Sequence, residues 1–170
     1  EIAHNVRRLE AIGTKLYTFL DNHDENRIAS KLNKKAHLPL AWTLLFTLPG
    51  IPSIYYGGEW ELTGTRTRGS DAALRPYITL EEGEAKHCDL ITKLARIHTE
   101  NPEFHGGRYQ ELLLTNRQYA FARHAQGSIC ITAANSDDQE SHLSVPVPLH
   151  ASKAENLMDG SIIPVENGKL

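Results

Sequence analysis

The stretch TFLDNHDEN, residues 18–26, joins an apolar segment directly to a run of polar residues. The apolar segment covers residues 16–20, and residues 21–25 are all polar. Two interpretations stay open. In the first, Asn22 and Asp24, which are residue types that cap helices, begin a following helix. In the second, the segment is a strand that delivers His23 and Asp24 to a substrate cleft.

Around this stretch, hydrophobic periodicity alternates between helices and strands. Apolar residues at helical spacing predict a helix that ends at Gly13. Segment 15–20 lacks polar alternation, which predicts a parallel strand covered on both faces. A helix is predicted at 36–48, with one side lined by Leu40, Leu44, Leu45 and Leu48. After the Pro49-Gly50 turn signal, a strand is predicted at 53–56, so the order indicates a parallel α/β arrangement.

The second half of the chain changes character. A long connection, 59–83, contains Arg66, Arg68, Asp71 and Arg75, and loops of this length are commonly functional or disordered. A helix is predicted at 84–99, closed by Asn101-Pro102. Four strands are then predicted at 108–115, 118–125, 128–135 and 142–147, which favours an antiparallel sandwich. Asn167-Gly168 predicts another hairpin whose return strand is missing, so we expect both chain ends to be cut from a longer protein.

Composition excludes several classes of protein. The 170 residues are 40% apolar and 23% charged, with a formal charge of -3, so we expect a globular domain that does not bind nucleic acid. The longest apolar run, 41–56, is broken by two prolines, and we expect no membrane span or secretory signal. Cys88 and Cys130 lie in patterns of different period, which predicts unpaired core thiols.

Polar residues at the carboxyl end of the first strand indicate a site. In parallel α/β sheets, ligands bind at this edge, and the second predicted strand delivers residues 56–59 to the same edge. An imidazole donates to a sugar hydroxyl and a carboxylate accepts from one, and both contacts strengthen as positive charge develops on the sugar. His23 and Asp24 are therefore candidate sugar-binding residues.

The sequence supports a metal site less well than it supports the sugar-binding residues His23 and Asp24. None of the nine histidines forms a close-spaced pair, and the two cysteines form no Cys-x-x-Cys. The run DNHDEN lacks the glycine and distal glutamate of the helix-loop-helix calcium site. We expect no metal or cofactor in this chain.

Several segments together resemble the α-amylase family of glycoside hydrolases. TFLDNHDENR resembles its fourth signature region, and LPLAWTLLFTLPGIPSIYYGGEWELTG resembles its last barrel helix and eighth strand. SDAALRP resembles the segment that follows, and the strands after Pro102 resemble the C-terminal domain. The resemblance implies the C-terminal part of a (β/α)8 TIM barrel at 1–102 and an antiparallel β-sandwich at 103–170.

The resemblance also implies roles for individual residues. Asp24 matches the third catalytic carboxylate, which holds sugar hydroxyls and stabilises the oxocarbenium-like transition state. His23 matches the histidine that binds the same sugar, and Arg27 matches a position that helps to shape the substrate site. Asn22 matches the signature but is expected to support the loop. Trp60, in a loop beside the expected cleft, is the aromatic residue that we expect to contact glucan.

The chain departs from the family pattern in three ways. The nucleophile and the general acid of the family come from the fourth and fifth barrel strands, which are expected upstream of this chain. Gly58 stands where many relatives carry aspartate, and Ala72 where proline is usual. The implied activity is retaining cleavage or transfer of α-glucosidic bonds in starch or maltodextrin, carried out by a longer parent protein. Whether that parent binds calcium stays open. The isolated chain is expected to be inactive.

Two barrel strands without their neighbours would expose pairing edges and apolar faces, which predicts self-association. A different class of function stays open, a non-catalytic carbohydrate-binding or partner protein of the same fold. A third interpretation, a stand-alone carbohydrate-binding module, requires aromatic residues on an exposed strand face. Tyr119 and Phe121 share a face that we expect to fill the core instead.

Overall fold

A computed structural model describes residues 2–9, 12, 15–79 and 86–170. The helices are α1 Ile2–Arg8, α2 Ile28–Lys31, α3 Leu38–Thr47, α4 Cys88–Glu100 and α5 Pro102–Gly106. The strands are β1 Tyr17–Thr18, β2 Ile51–Pro52, β3 Arg108–Leu114, β4 Gln118–Ala125, β5 Ser128–Asn135, β6 Lys153–Glu155 and β7 Ile162–Pro164. Short 3-10 helices form at Lys35–His37, Gly58–Trp60 and Ala72–Leu74. The predicted helix end at Gly13 and the start of the helix predicted at 84–99 lie outside the described residues.

Strands β1 and β2 pair in parallel, as the alternation of elements predicted. The Ser53 N–H donates to the Thr18 carbonyl at 2.8 Å, where the pairing ends. The strand predicted at 53–56 is wrong, because β2 comes before those residues. The backbone there bonds to other partners, and the Tyr56 carbonyl accepts from the Arg27 guanidinium instead of from a neighbouring strand.

The first strand is exposed on one face, and the predicted cover on both faces is wrong. Tyr17 is 66% exposed and Phe19 is 41% exposed, whereas Leu16, Thr18 and Leu20 are half-buried. Within the described part of the chain, β2 is the only strand that pairs with β1. Cover on both faces requires packed elements on each side of the sheet, and no element among the described residues covers the face of Tyr17.

Helix α3 forms close to its predicted bounds and is apolar around its whole circumference. One face carries Leu38, Trp42, Leu45 and Phe46 into a core that includes Ile91 and Leu94 of α4. The predicted stripe lies on one side of the helix, because Leu40, Leu44, Leu45 and Leu48 all line a groove of about 820 Å³ together with residues of α1 and β1. Of these four leucines, Leu45 alone is also buried in the core. A helix that is apolar on all sides has two faces to bury, and here the second faces the groove.

The junction to the β-sheet region contains an extra helix. Helix α4 ends at Glu100 and α5 follows, with Pro102 at its first turn, a position where proline's missing N–H costs nothing. The fully buried Arg123 of β4 spans this junction. Its guanidinium donates to the carbonyls of Thr47 at 3.0 Å, Phe104 at 3.3 Å and Gly107 at 3.1 Å. The end of α3 is thereby tied to the sheet.

Strands β3, β4 and β5 form an antiparallel sheet within one residue of the predicted bounds. The strand predicted at 142–147 is wrong, because this segment forms only an isolated bridge at Pro146. Pro146 and Pro148 have no backbone N–H to continue a ladder. Strands β6 and β7 form a separate hairpin that the sequence did not predict.

The Asn167-Gly168 turn forms as predicted, and Lys169 and Leu170 after it form no return strand, only isolated pairings. Glu166 and Lys169 bridge across the turn. Val145 and Leu170 exchange two backbone hydrogen bonds of 2.9 Å, because the last residues fold back onto segment 145–147. The residues after the turn therefore pair within this chain.

The aromatic residues and the cysteines of the core match their predictions closely. Trp42 is 1% exposed and Phe121 is fully buried, with the Tyr119 ring 5.1 Å from that of Phe121. Cys88 and Cys130 are free and half-buried. In the described parts of the chain, no helix is both long and apolar enough to cross a bilayer.

Candidate functional site

The loop after β1 tests the helix-cap interpretation of the opening stretch. Asp21, which is 2% exposed, accepts the N–H of Ile28, the first residue of α2, at 2.7 Å. Asn22 Oδ1 accepts the backbone N–H groups of Asp24 and Glu25 at 2.8 and 2.9 Å, which closes a tight turn. Neither Asn22 nor Asp24 caps α2. The carboxylate of Asp24 is left free for another role.

His23 and Asp24 form an exposed pair at the carboxyl end of β1. His23 Nε2 lies 3.0 Å from Asp24 Oδ2, and the two side chains are 58% and 57% exposed. On the other side, Arg75 Nη2 donates to Asp24 Oδ1 at 3.1 Å. A carboxylate offers about four lone-pair sites, so two donors from the protein leave capacity for two hydroxyl donors from a ligand.

Arg75 belongs to this site, although the sequence did not single it out as a site residue. Its Nε donates to the His23 carbonyl at 3.0 Å, and its Nη2 also pairs with Asp71. Asp71 and Arg75 flank the 3-10 helix Ala72–Leu74 and form an ion pair across it. The cluster of charges in 59–83 and the SDAALRP segment were the available signals. Neither signal shows that Arg75 reaches Asp24.

Arg27 lies behind this pair and is fully buried. Its Nε is 3.5 Å from Asp21 Oδ2, an ionic contact too long for a good hydrogen bond. The guanidinium carbon lies 4.6 Å from the centre of the Tyr55 ring and 5.5 Å from that of Tyr56. Burial raises the pKa of the Tyr55 hydroxyl, with the Tyr56 hydroxyl adding to the shift. The structure places Arg27 where it contacts protein groups, and its direct contact with substrate stays a prediction.

Trp60 lies on the loop after β2, at the end of the 3-10 helix Gly58–Trp60. It is half-buried, and its backbone N–H donates to the Gly57 carbonyl at 3.2 Å. Gly57 has a φ of +79°, a left-handed conformation that favours glycine. The structure shows how this loop is held, and contact between Trp60 and glucan stays a prediction.

A second charged cluster lies beside this loop, around Glu61. Its Oε1 is 2.9 Å from His87 Nε2, and the ammonium groups of Lys35 and Lys86 lie within 3.8 Å of Oε2. Burial raises the pKa of Glu61, but the hydrogen bond to His87 and the three positive groups outweigh it, so the pKa lies below its usual value. This cluster fastens the loop to the start of α4.

Metal coordination finds little support in the described residues. Across residues 2–9, 12, 15–79 and 86–170, no three His, Cys, Asp or Glu side chains are grouped to hold a metal ion. The Asp24 carboxylate instead pairs with Arg75. The arrangement can accept and donate hydrogen bonds to a polar ligand.

Comparisons with known proteins agree with one another. A family model described as "Alpha amylase, catalytic domain" matches residues 2–107. Among curated proteins, the chain is 29% identical over 153 residues to a cyclomaltodextrin glucanotransferase of Bacillus sp. (strain 1-1), covering 87% of this chain and 21% of the relative. It is 28% identical over 154 residues to an alpha-amylase of Niallia circulans, covering 87% of this chain and 28% of that protein.

Solved structures give the same result for the fold. The crystal structure of an Anoxybacillus alpha-amylase superposes with a TM-score of 0.83 at 26% identity, over 99% of this chain and 37% of that chain. A cyclomaltodextrin glucanotransferase, CldA, superposes with a TM-score of 0.79 at 26% identity, over 98% and 35%. The chain thus spans 21 to 28% of these curated relatives and 35 to 37% of these structures.

Proposed function

The chain belongs to the α-amylase family, and we propose that it is the C-terminal part of an enzyme that cleaves or transfers α-glucosidic bonds of starch or maltodextrin. The observation that carries the proposal is the exposed His23–Asp24 pair at the carboxyl end of β1, held by Arg75. Ligands of parallel α/β proteins bind at this edge. The curated relatives described above are a glucanotransferase and an amylase, which supports the general kind of reaction.

Asp24 would act as the stabilising carboxylate of this reaction. Its two oxygens are fixed by His23 and Arg75, so they need not reorganise when positive charge develops on the sugar ring. The remaining lone pairs would accept sugar hydroxyls, while His23 would hydrogen-bond the same sugar. Since both side chains are more than half exposed, a ligand can reach them directly.

The proposed placement in the parent is at the end of a barrel. Residues 1–102 would supply its last two strands, which is supported by the parallel pairing of β1 with β2 and by α3 between them. Residues 103–170 would form the following antiparallel β-sandwich, supported by the sheet of β3, β4 and β5. The nucleophile and general acid would come from preceding strands, so this chain alone would be inactive.

The exposed surfaces of the barrel part support self-association of the isolated chain. Tyr17 of β1 is 66% exposed and Ile51 of β2 is 55% exposed, and the groove beside α3 is lined mainly by apolar side chains. Apolar surface of this kind favours association. Sedimentation velocity over a range of concentrations tests this, and a chain that stays monomeric at high concentration would contradict it.

The experiment that tests the function starts from the reading frame that encodes this chain. We expect an aspartate and a glutamate at the ends of two successive strands encoded upstream of Glu1. A protein extended to include them should release or transfer glucose units from maltoheptaose, whereas the 170-residue chain should not.

An extended protein that lacks those acids would favour the alternative, a non-catalytic carbohydrate-binding or partner protein. Calorimetry should then show that it binds maltoheptaose without turnover, or that it binds a protein partner. The sequence feature that favours the enzyme is the complete Asn22, His23 and Asp24 trio, because binding or partner proteins have no chemical need for a stabilising carboxylate.

A further inference from the structure

Arg27 lies at the meeting point of three segments that build the proposed site. We propose that Arg27 is a positioning residue, which holds the backbone around Arg75 so that Arg75 reaches Asp24. The importance of Arg27 for glucan chemistry rests on the proposed function, whereas its contacts with the neighbouring segments belong to this chain itself. Positioning is a different role from direct contact with substrate, which the full burial of Arg27 does not favour.

The carbonyl groups on either side of Arg75 are both held. Arg27 Nη1 lies 3.5 Å from the Leu74 carbonyl, and the Tyr56 hydroxyl donates to the Pro76 carbonyl at 2.8 Å. Arg27 Nη2 in turn donates to the Tyr56 carbonyl. One guanidinium therefore contacts the residue 74 carbonyl at the limit of hydrogen-bond distance and reaches residue 76 through the shorter contacts of Tyr56. The residues on both sides of Arg75 are thus linked to Arg27.

The surroundings of Arg27 are shaped for a planar guanidinium. The guanidinium carbon lies 4.6 Å from the centre of the Tyr55 ring and 5.5 Å from that of Tyr56, and Asp21 supplies a carboxylate at 3.5 Å. A Cβ at Gly57 would lie 3.2 Å from Arg27 Nη2, and a Cβ at Gly64 would lie 3.0 Å from Arg27 Cγ. The two glycines give the side chain its space. Lysine offers a compact charge that cannot donate to two separate carbonyls in the fork geometry of arginine.

The consequence for the site is a chain of contacts from a buried group to an exposed one. Arg27 fixes the segment, the segment fixes Arg75, and Arg75 donates to both the His23 carbonyl and the Asp24 carboxylate. Sites whose contacting groups are held by such supporting contacts keep their geometry within the narrow limits that catalysis requires. Arg27 acts on Asp24 without touching it.

The experiment measures the Nε–H of Arg75 by nuclear magnetic resonance in the 170-residue chain labelled with 15N-arginine. In the wild type, this proton should exchange with solvent slowly because it is bonded to the His23 carbonyl. Arg27→Lys should speed its exchange about tenfold, the factor expected from loss of roughly one hydrogen bond. Backbone amides of β4 should change less, which separates positioning from a general loss of stability.

Arg68→Lys is the matched control, since Arg68 is exposed in the same loop, and it should leave the Arg75 signal unchanged. If Arg27→Lys does not fold, Tyr56→Phe removes only the hydroxyl that holds Pro76 and should speed exchange in the same direction. Unchanged exchange at Arg75 in a folded variant of either kind overturns the proposal. Because no glucan is used, this result is independent of whether the extended protein turns over maltoheptaose.

Discussion

Arg75 donates to Asp24 across 3.1 Å although the two residues are 51 positions apart in the chain. The contact joins the loop after β1 to the 3-10 helix Ala72–Leu74, beyond β2. It holds one carboxylate oxygen while His23 approaches the other at 3.0 Å. The acid of the proposed site is thus built by two separate segments of the chain, which makes its geometry sensitive to both.

Asp24→Asn in the extended protein should lower turnover of maltoheptaose by at least a hundredfold, since a neutral amide cannot stabilise developing positive charge as a carboxylate does. Folding should be nearly unchanged because the side chain is 57% exposed. Initial rates and thermal melts measure the two effects. Asp138→Asn removes another exposed carboxylate, which pairs with Lys34, and serves as the control. Wild-type rates in Asp24→Asn would end the role assigned to it.

Arg123→Met should destabilise the chain by roughly 3 kcal/mol or more, because the carbonyls of Thr47, Phe104 and Gly107 lose their buried donor. Burial lowers the pKa of Arg123 to about 10, so the group stays charged at neutral pH. Urea unfolding monitored by circular dichroism measures the change. Arg117→Met, on an exposed turn, should stay within about 0.5 kcal/mol of the wild type. Equal stability of the two variants would contradict the structure.

The free energy of unfolding should fall as the pH is lowered from 7 to 5. Burial lowers the pKa of His98 below its usual 6.5, and the nearby His105 and Arg123 lower it further, although its bond to the Phe46 carbonyl acts in the opposite direction. Burial also lowers the pKa of His124, with Arg108 adding to the shift. The unfolded chain therefore binds protons first as the pH falls through about 6.5, and stability present above that value is lost below it.

His98→Asn should flatten this pH dependence while keeping a donor close to the Phe46 carbonyl, which His98 Nδ1 approaches at 2.7 Å. Urea unfolding at pH 7, 6 and 5 measures the slope. His142→Asn, at an exposed position, is the matched control and should leave the slope as it is. An equal slope in His98→Asn and the wild type would show that His98 is not the group responsible.

Cys130 should react slowly with a thiol reagent in the folded chain. Burial raises its pKa to about 12 from 9.0, with Glu103 adding to the shift, so at pH 8 its thiolate fraction falls about a thousandfold. The reaction of a Cys88→Ser variant with Ellman's reagent, followed by absorbance, isolates Cys130. The same variant in strong denaturant should react rapidly. Fast reaction without denaturant would place the thiol at the surface.

Gly64→Ala should destabilise the chain by about 2 kcal/mol, because the added Cβ would lie 2.2 Å from the Ala73 carbonyl oxygen. The backbone there must move, and it carries the segment that precedes Arg75. Gly106→Ala in α5 is the control, since no atom lies within 4 Å of its added Cβ, and it should be neutral or slightly stabilising. Thermal melts compare the two variants.

Local patterns predicted most of the element types. The apolar run before Pro49 predicted α3, and alternating segments with turn residues between them predicted β3, β4 and β5. These elements depend on contacts within a few residues, so the sequence near each one contains the required information. The strand predicted at 142–147 failed for a local reason too, since Pro146 within it cannot donate to a ladder.

Burial was harder to predict, because periodicity shows that a face is apolar without showing what covers it. Tyr17 of β1 is exposed, and the four leucines predicted to line one side of α3 face a groove. The α5 helix and the β6 and β7 hairpin are short, and short elements carry little periodic signal.

The sequence by itself determined the family, the parallel pairing of two strands, and the placement of His23 and Asp24 directly after the first strand. Those properties follow from residue order and from patterns within short segments. Only the tertiary structure decided that Asp21 caps α2, that Arg27 is buried behind the site, and that Arg75 reaches Asp24. Each of these is a contact between side chains and backbone brought together by folding, and hydrogen bonds of 2.7 to 3.1 Å depend on positions that no local pattern specifies.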